Sequence, residues 1–190
     1  MAKISVFVGS IRDGRAGRKV ADWVVRGLRK RQHDVHLIDP LEHDDLLLLD
    51  HMYKSVENPS EDFQALQRTV AESDGYVAVT PEYNHSFSGT IKNAIDAFLE
   101  EYTFKCFGIV TYSASNFGGI HAASALRSVT AELGAPAIPT SLAVSKVSDV
   151  FDDEGNLLEE AYEKRLAKFL DELEWFADAL ASKRSQGTPY

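Results

Sequence analysis

The chain has 190 residues, a formal net charge of -9, 44% apolar and 26% charged residues, which suits one ordinary globular domain over residues 1–190. The acidic balance argues against a nucleic-acid surface, which needs clustered Lys and Arg to meet phosphates, and the single Cys106 excludes an intramolecular disulfide and, with two methionines, leaves few ligands for a soft-metal centre. No run approaches the ~18 consecutive apolar residues of a membrane span, and Met1-Ala2-Lys3 is too short and uncharged for a signal peptide, so a reducing cytoplasm is the expected location.

Residues 4–8 are an apolar run ending at Gly9-Ser10, the pattern of a strand buried on both faces. Val20, Trp23, Val24, Gly27 and Leu28 then recur at helical steps, and that helix fades into the cationic Arg29-Lys30-Arg31. Residues 35–38 read as a second strand. Residues 40–59, with four leucines in a row at 46–49, read as a long excursion covering a site or an oligomer interface. Residues 63–73 read as a helix capped by Ser60, with Glu61 and Asp62 in its first turn.

Residues 75–80 read as a third strand, 81–89 as a loop and 90–101 as a helix with Ile91, Ala94, Ile95 and Phe98 on one face. A fourth strand is expected over 106–111, a loop over 112–119, a helix over 120–133 closed by Gly134, and a fifth strand over 137–144. Residues 147–156 read as a turn or hairpin around Asp153-Glu154-Gly155. Asn156-Leu157-Leu158-Glu159 reads as a capping box for a last helix striped by Tyr162, Leu166, Phe169, Leu170, Leu173, Phe176 and Leu180.

Strand then helix, repeated, means an α/β doubly wound, three-layer sandwich on a five-stranded parallel sheet. Ligands of such sheets bind outside the carboxyl ends of the strands. The loops at those ends are residues 9–19, 80–89 and 112–119, and all carry small and polar residues.

The first loop joins a buried strand to a helix start, where free amides and the helix dipole attract anions. Ser10 adds a hydroxyl, Arg12, Arg15 and Arg18 add forked cationic donors, and Gly9, Gly14 and Gly17 permit close approach of the backbone. Gly9 and Gly14 have P-loop spacing, but Arg15-Ala16 follows where Lys-Ser/Thr is required. G-x-G-x-x-G is absent too. The loop suits a terminal phosphate monoester. Its plain alternative is a Gly-rich turn with solvated arginines.

In the second loop Pro81 fixes the strand exit, Tyr83 offers a flat face to an aromatic ligand, and the amides around Asn84 can meet a ring edge. Glu82 otherwise serves a backbone amide or an arginine, and His85 a loop-stabilising role. No G-x-S-x-G elbow is present for a serine hydrolase. Lys92, Asn93 and Asp96 read as a capping or interface network, and Cys106 as core.

Gly9-Ser10-Ile11-Arg12, Arg15 with Gly17, Pro81-Glu82-Tyr83-Asn84-His85-Ser86 before Gly89, Lys92-Asn93-Ala94-Ile95-Asp96 and Ser115-Asn116-Phe117-Gly118-Gly119 together resemble the NADPH-dependent FMN reductase family. The resemblance runs over roughly residues 3–180. It implies a flavodoxin-like fold, non-covalent FMN, NADPH or NADH as co-substrate, and a homodimer or homotetramer. It implies FMN contacts from Ser10, Arg12, Arg15, Gly17, Arg18, Pro81, Glu82, Tyr83, Asn84, Ser113, Ser115, Asn116, Gly118 and Gly119. Many members carry serine at the place of Arg15 and some carry asparagine at that of Gly17, so which arginine meets the phosphate stays open.

By the same resemblance residues 113–119 lie beside the pyrimidine end of the flavin. Gly118 and Gly119 amides at a helix start would stabilise the negative charge of its reduced form. The implied reaction passes hydride from NAD(P)H to FMN and on to a quinone, free flavin, azo compound, metal ion or dioxygen. The flavin carries that chemistry, so no side chain is assigned as acid, base or metal ligand. The rival readings are a flavodoxin-type carrier serving a protein partner, and a regulatory protein in which flavin or another phosphate ligand only signals.

Overall fold

The computed structural model describes residues 1–47 and 59–190. Residues 48–58, and with them most of the excursion expected over 40–59, lie outside the described residues. The strands are β1 (Lys3–Val8), β2 (Asp34–Ile38), β3 (Gly75–Tyr83), β4 (Ser86–Phe87), β5 (Cys106–Tyr112) and β6 (Ala137–Val144). The helices are α1 (Ala16–Lys30), α2 (Glu61–Glu72), α3 (Gly89–Asp96), α4 (Ile120–Glu132), α5 (Val147–Val150) and α6 (Glu160–Arg184).

Strands β2-β1-β3-β5-β6 form the parallel sheet in that order, and β4 pairs antiparallel with β3. Alternate strand residues feed opposite faces, as the two-residue period requires. Val6, Val8, Val77, Val79 and Val110 join α1 and α6 in one core, with Trp23, Leu28, Leu166 and Phe169 among its large side chains. Phe7, Tyr76, Ala78 and Phe107 join α2, α3 and α4 in the other. Burying each large apolar side chain contributes about 1.5–3 kcal/mol, which is why near-continuous apolar strands settle between two helical layers.

Four local readings are corrected. β3 continues past residue 80, because Thr80 ahead of proline stays extended and Pro81 pairs with Tyr112 of β5. The chain then reverses at Asn84 and His85, both at positive φ (50° and 65°), so residues 81–89 hold a hairpin rather than an open loop. α3 begins where the Ser88 hydroxyl accepts from the Ile91 amide at 3.1 Å, and it ends at Asp96 rather than continuing to 101. Glu101 turns back to accept the Leu99 amide at 2.9 Å, and a separate 3-10 turn covers Glu100–Tyr102.

Residues 147–156 open with α5, and a turn follows, closed by a Phe151–Leu157 bridge. The capping box over 156–159 does not form. Asn156 donates its backbone and side-chain N–H groups to the Asp152 carboxylate at 2.7 and 2.9 Å, and α6 starts at Glu160 without a side-chain cap. The Ser60 cap on α2 is present, accepting from the Phe63 amide at 3.0 Å. The α6 stripe packs as expected, and Phe169 lies so close to β5 that a Cβ on Gly108 would sit 2.5 Å from its ring.

Candidate functional site

At the carboxyl ends of β1, β3 and β5 lies a cleft of 330 Å³. Ser10, Arg12, Asp13, Gly14, Arg15 and Ala16 form one wall. Pro81, Glu82, Tyr83, Tyr112, Ser113, Ala114 and Val147 complete it. A few hydrogen bonds fix the walls against each other. The Gly9 amide donates to the Val79 carbonyl at 2.7 Å, and the Ser88 hydroxyl donates to the Gly9 carbonyl at 2.5 Å. A Cβ on Gly9 would stand 2.8 Å from that Val79 oxygen, so only glycine lets the first loop lie on β3.

The floor of the first loop is polar and unsatisfied. Ser10 is 3% exposed, and its hydroxyl lies beside that of Tyr112 with no other hydrogen-bond partner among the described residues. A Cβ on Gly17 would collide with both the Ser10 and the Tyr112 hydroxyls, so these two groups meet above a glycine that leaves them room. Burial raises the Tyr112 phenol above its ordinary range, which keeps its proton in place.

α1 starts at this floor with no side-chain cap and no acidic residue in its first turn. The starts of α3 and α4 near the cleft are satisfied by side chains. Ser88 caps α3, and Glu82 Oε2 accepts from the His121 and Ala122 amides of α4 at 2.9 and 3.2 Å. The start of α1 thus leaves the positive end of its dipole free at the cleft.

The arginines divide. Arg15 donates to Asp39 Oδ1 at 2.7 Å, to Asp39 Oδ2 at 2.5 Å and to the Ser10 carbonyl at 2.5 Å. Arg18 pairs with Asp22, Asp39 and Glu42 at 3.1, 3.1 and 2.9 Å and does not line the cleft. Asp39 is fully buried. Burial opposes its ionisation, but hydrogen bonds from Arg15 and from the Leu41 amide outweigh that, and its carboxyl is held below the usual range. Arg12 has no ion-pair partner among the described residues, and its guanidinium lies 5.9 Å from the centre of the Tyr83 ring. Tyr83 is 38% exposed at the cleft wall.

Of the third loop, Ser113 lines the cleft. Its hydroxyl meets that of Ser115 at 2.9 Å, and the Ser115 and Asn116 carbonyls accept from the Lys146 amide and the Ser145 hydroxyl at 3.0 and 2.9 Å. Gly118 and Gly119 are left-handed, at φ 63° and 88°. They let the chain pack on β6 and Thr111, and they lie outside the lining, as do Ser115, Asn116, Asn84 and Gly17.

The sequence reading passed over Asp13, Ala16, Tyr112, Ala114 and Val147 as wall residues. Tyr112 had a usable signal, being the last residue of an apolar strand at the loop that follows it. Val147 had none, since it arrives from α5 across the β6 connection.

A family model described as NADPH-dependent FMN reductase matches residues 2–149. An NAD(P)H-dependent FMN reductase of a Nectria species is 33% identical over 120 residues, which are 59% of this chain and 60% of that relative. A quinone reductase of Pseudomonas putida is 31% identical over 160 residues, covering 81% of this chain and 83% of that one. The solved structure of a flavoenzyme NAD(P)H:(acceptor) oxidoreductase of Paracoccus denitrificans superposes with a TM-score of 0.74 at 24% identity, over 96% of this chain and 98% of that one. The strand order is that of flavodoxin-like proteins, and the chain belongs to the NADPH-dependent FMN reductase family.

Proposed function

We propose that the chain is an FMN-dependent NAD(P)H oxidoreductase that delivers reducing equivalents to a small-molecule acceptor of the quinone class. The observation that carries this is the unsatisfied polar floor of the cleft. The buried Ser10 hydroxyl, with at most Tyr112 beside it, the uncapped start of α1 and the Arg12 cation, without an ion pair among the described residues, converge where a phosphate monoester would satisfy all three.

The residues present fit the group. Ser10, Arg12 and the first amides of α1 hold the phosphate, and Tyr112, kept protonated by burial, is a further donor beside Ser10. Arg15 does not reach for the phosphate in this reading. It fixes the loop by tying the Ser10 carbonyl to Asp39. Tyr83 and Pro81 supply a flat apolar wall for the ring system. When bound, FMN supplies the two-electron chemistry, accepting hydride from NAD(P)H and returning it to the acceptor.

The reading carries with it a cytoplasmic homodimer or homotetramer, checked by light scattering on the purified chain. Its central test is spectroscopic. The chain should hold FMN with a flavin absorption band, NADPH should bleach that band without oxygen, and a benzoquinone should restore it with no partner protein present. Failure to hold FMN, or no bleaching by NADPH or NADH, would overturn it.

A further inference from the structure

Glu82, His85 and His121 offer one ligand atom each, all within 4.8 Å of one another. The group spans two elements, since Glu82 and His85 belong to the β3–β4 hairpin and His121 to the first turn of α4. The two imidazoles stack, with ring centres 4.2 Å apart and planes 19° from parallel. Neither ring makes a hydrogen bond or ion pair among the described residues, whereas His33, His36 and His43 each lie against a carboxylate, of Glu174, Asp34 and Asp62.

Glu82 is already oriented. Its Oε2 accepts two α4 amides, and Oε1 has no partner among the described residues. One carboxylate oxygen and one nitrogen of each imidazole thus lie within 4.8 Å of one another.

We propose that Glu82, His85 and His121 form a zinc(II)-class metal site that clamps the β3–β4 hairpin to the start of α4. Two imidazoles and a carboxylate are borderline N and O ligands that suit zinc and its neighbours, not magnesium. Zinc bonds of about 2.0–2.2 Å need ligand atoms roughly 3.2–3.5 Å apart. Movements on the order of 1 Å by exposed histidines reach that spacing from the present one. Three protein ligands leave a fourth position for water at the cleft rim, beside the wall to which Glu82 belongs. The Glu82 bonds to α4 act as the outer support that holds a ligand in place.

The test is a titration of the full chain with zinc chloride in a non-chelating buffer, followed by competition with a chromophoric chelator. The wild type should bind one equivalent. His85→Asn, which keeps a residue at ease in left-handed backbone, and His121→Ala should each bind at least 10-fold more weakly, and the double variant should lose that equivalent. Zinc should raise the melting temperature of the wild type but not of the double variant, because a ligand that binds only the folded state stabilises it by mass action. Magnesium should do neither. Circular dichroism and metal-free melting curves of the two single variants check that each is folded, and either one suffices. A wild type that binds no zinc, or folded variants that bind it as tightly as the wild type, would overturn the proposal. No arm depends on flavin or turnover.

Discussion

Arg15 grips Asp39 through both terminal guanidinium nitrogens, at 2.7 and 2.5 Å, and the same side chain holds the Ser10 carbonyl. Asp39 has no exposed surface, so removing either partner leaves a buried charge or an opened loop. Asp39→Ala should destabilise the fold by about 3–5 kcal/mol in urea unfolding at pH 7. The Asp39 carboxyl titrates below its ordinary range in the folded chain, so its stabilisation is present above about pH 4 and is lost as pH falls through the folded-state value. Acidification should therefore erode the wild type more steeply than Asp39→Asn.

Arg12, free of any ion pair among the described residues, separates ligand binding from stability. Arg12→Ala should change unfolding free energy by no more than about 0.5 kcal/mol. A lost charge-assisted bond of about 1.5–3 kcal/mol corresponds to FMN binding roughly 10–150-fold weaker. Riboflavin, which lacks the phosphate, should bind both proteins alike. Fluorescence quenching titrations of the two flavins measure both numbers, and equal weakening would remove Arg12 from the phosphate.

Ser10 makes the same separation with a hydroxyl. Its Oγ is buried with no partner but the neighbouring Tyr112 hydroxyl among the described residues, so Ser10→Ala should leave the ligand-free chain about as stable as before, while weakening FMN. Gly17→Ala should do the opposite to the empty fold. Its methyl group meets the Ser10 and Tyr112 hydroxyls, and overpacking of that kind costs about 1–3 kcal/mol. Thermal melts with and without FMN distinguish the two variants.

Burial pushes the Cys106 thiol up to about 12. At pH 8 the reactive thiolate is then scarce, and a thiol reagent such as dithionitrobenzoate should label the native chain only after denaturant is added. Fast labelling of the folded protein would mean that the amino end of β5 opens readily.

The layer order was readable because β1, β3 and β5 are near-continuous apolar runs, and α6 carries its stripe at helical spacing. The expected oxidoreductase class, with FMN and NAD(P)H, agrees with the family match. Turns were harder. Asn84 and His85 reverse the chain at positive φ without a glycine, so the usual hairpin signal is missing. Asn156 bonds back to Asp152 instead of forward to a helix, a choice between two local partners that spacing does not decide. Within the cleft, three arginines in one loop look equivalent in sequence. What separates them in the structure is Asp39, just past the carboxyl end of β2, which pairs with Arg15 and Arg18 and not with Arg12.

The last turn of α6 is fastened by Arg184 to the Phe104 carbonyl and to Asp74, at 3.0 and 3.1 Å, immediately ahead of β5 and β3. Ala2 is held at the start of β1 by His33, at 3.2 Å. Both anchor points stand at the amino ends of the strands, and the cleft opens at the carboxyl ends. Fixed to an electrode or a bead through Tyr190, the molecule would present its opening to the bulk solution, with the sheet standing as a spacer between the support and the chemistry.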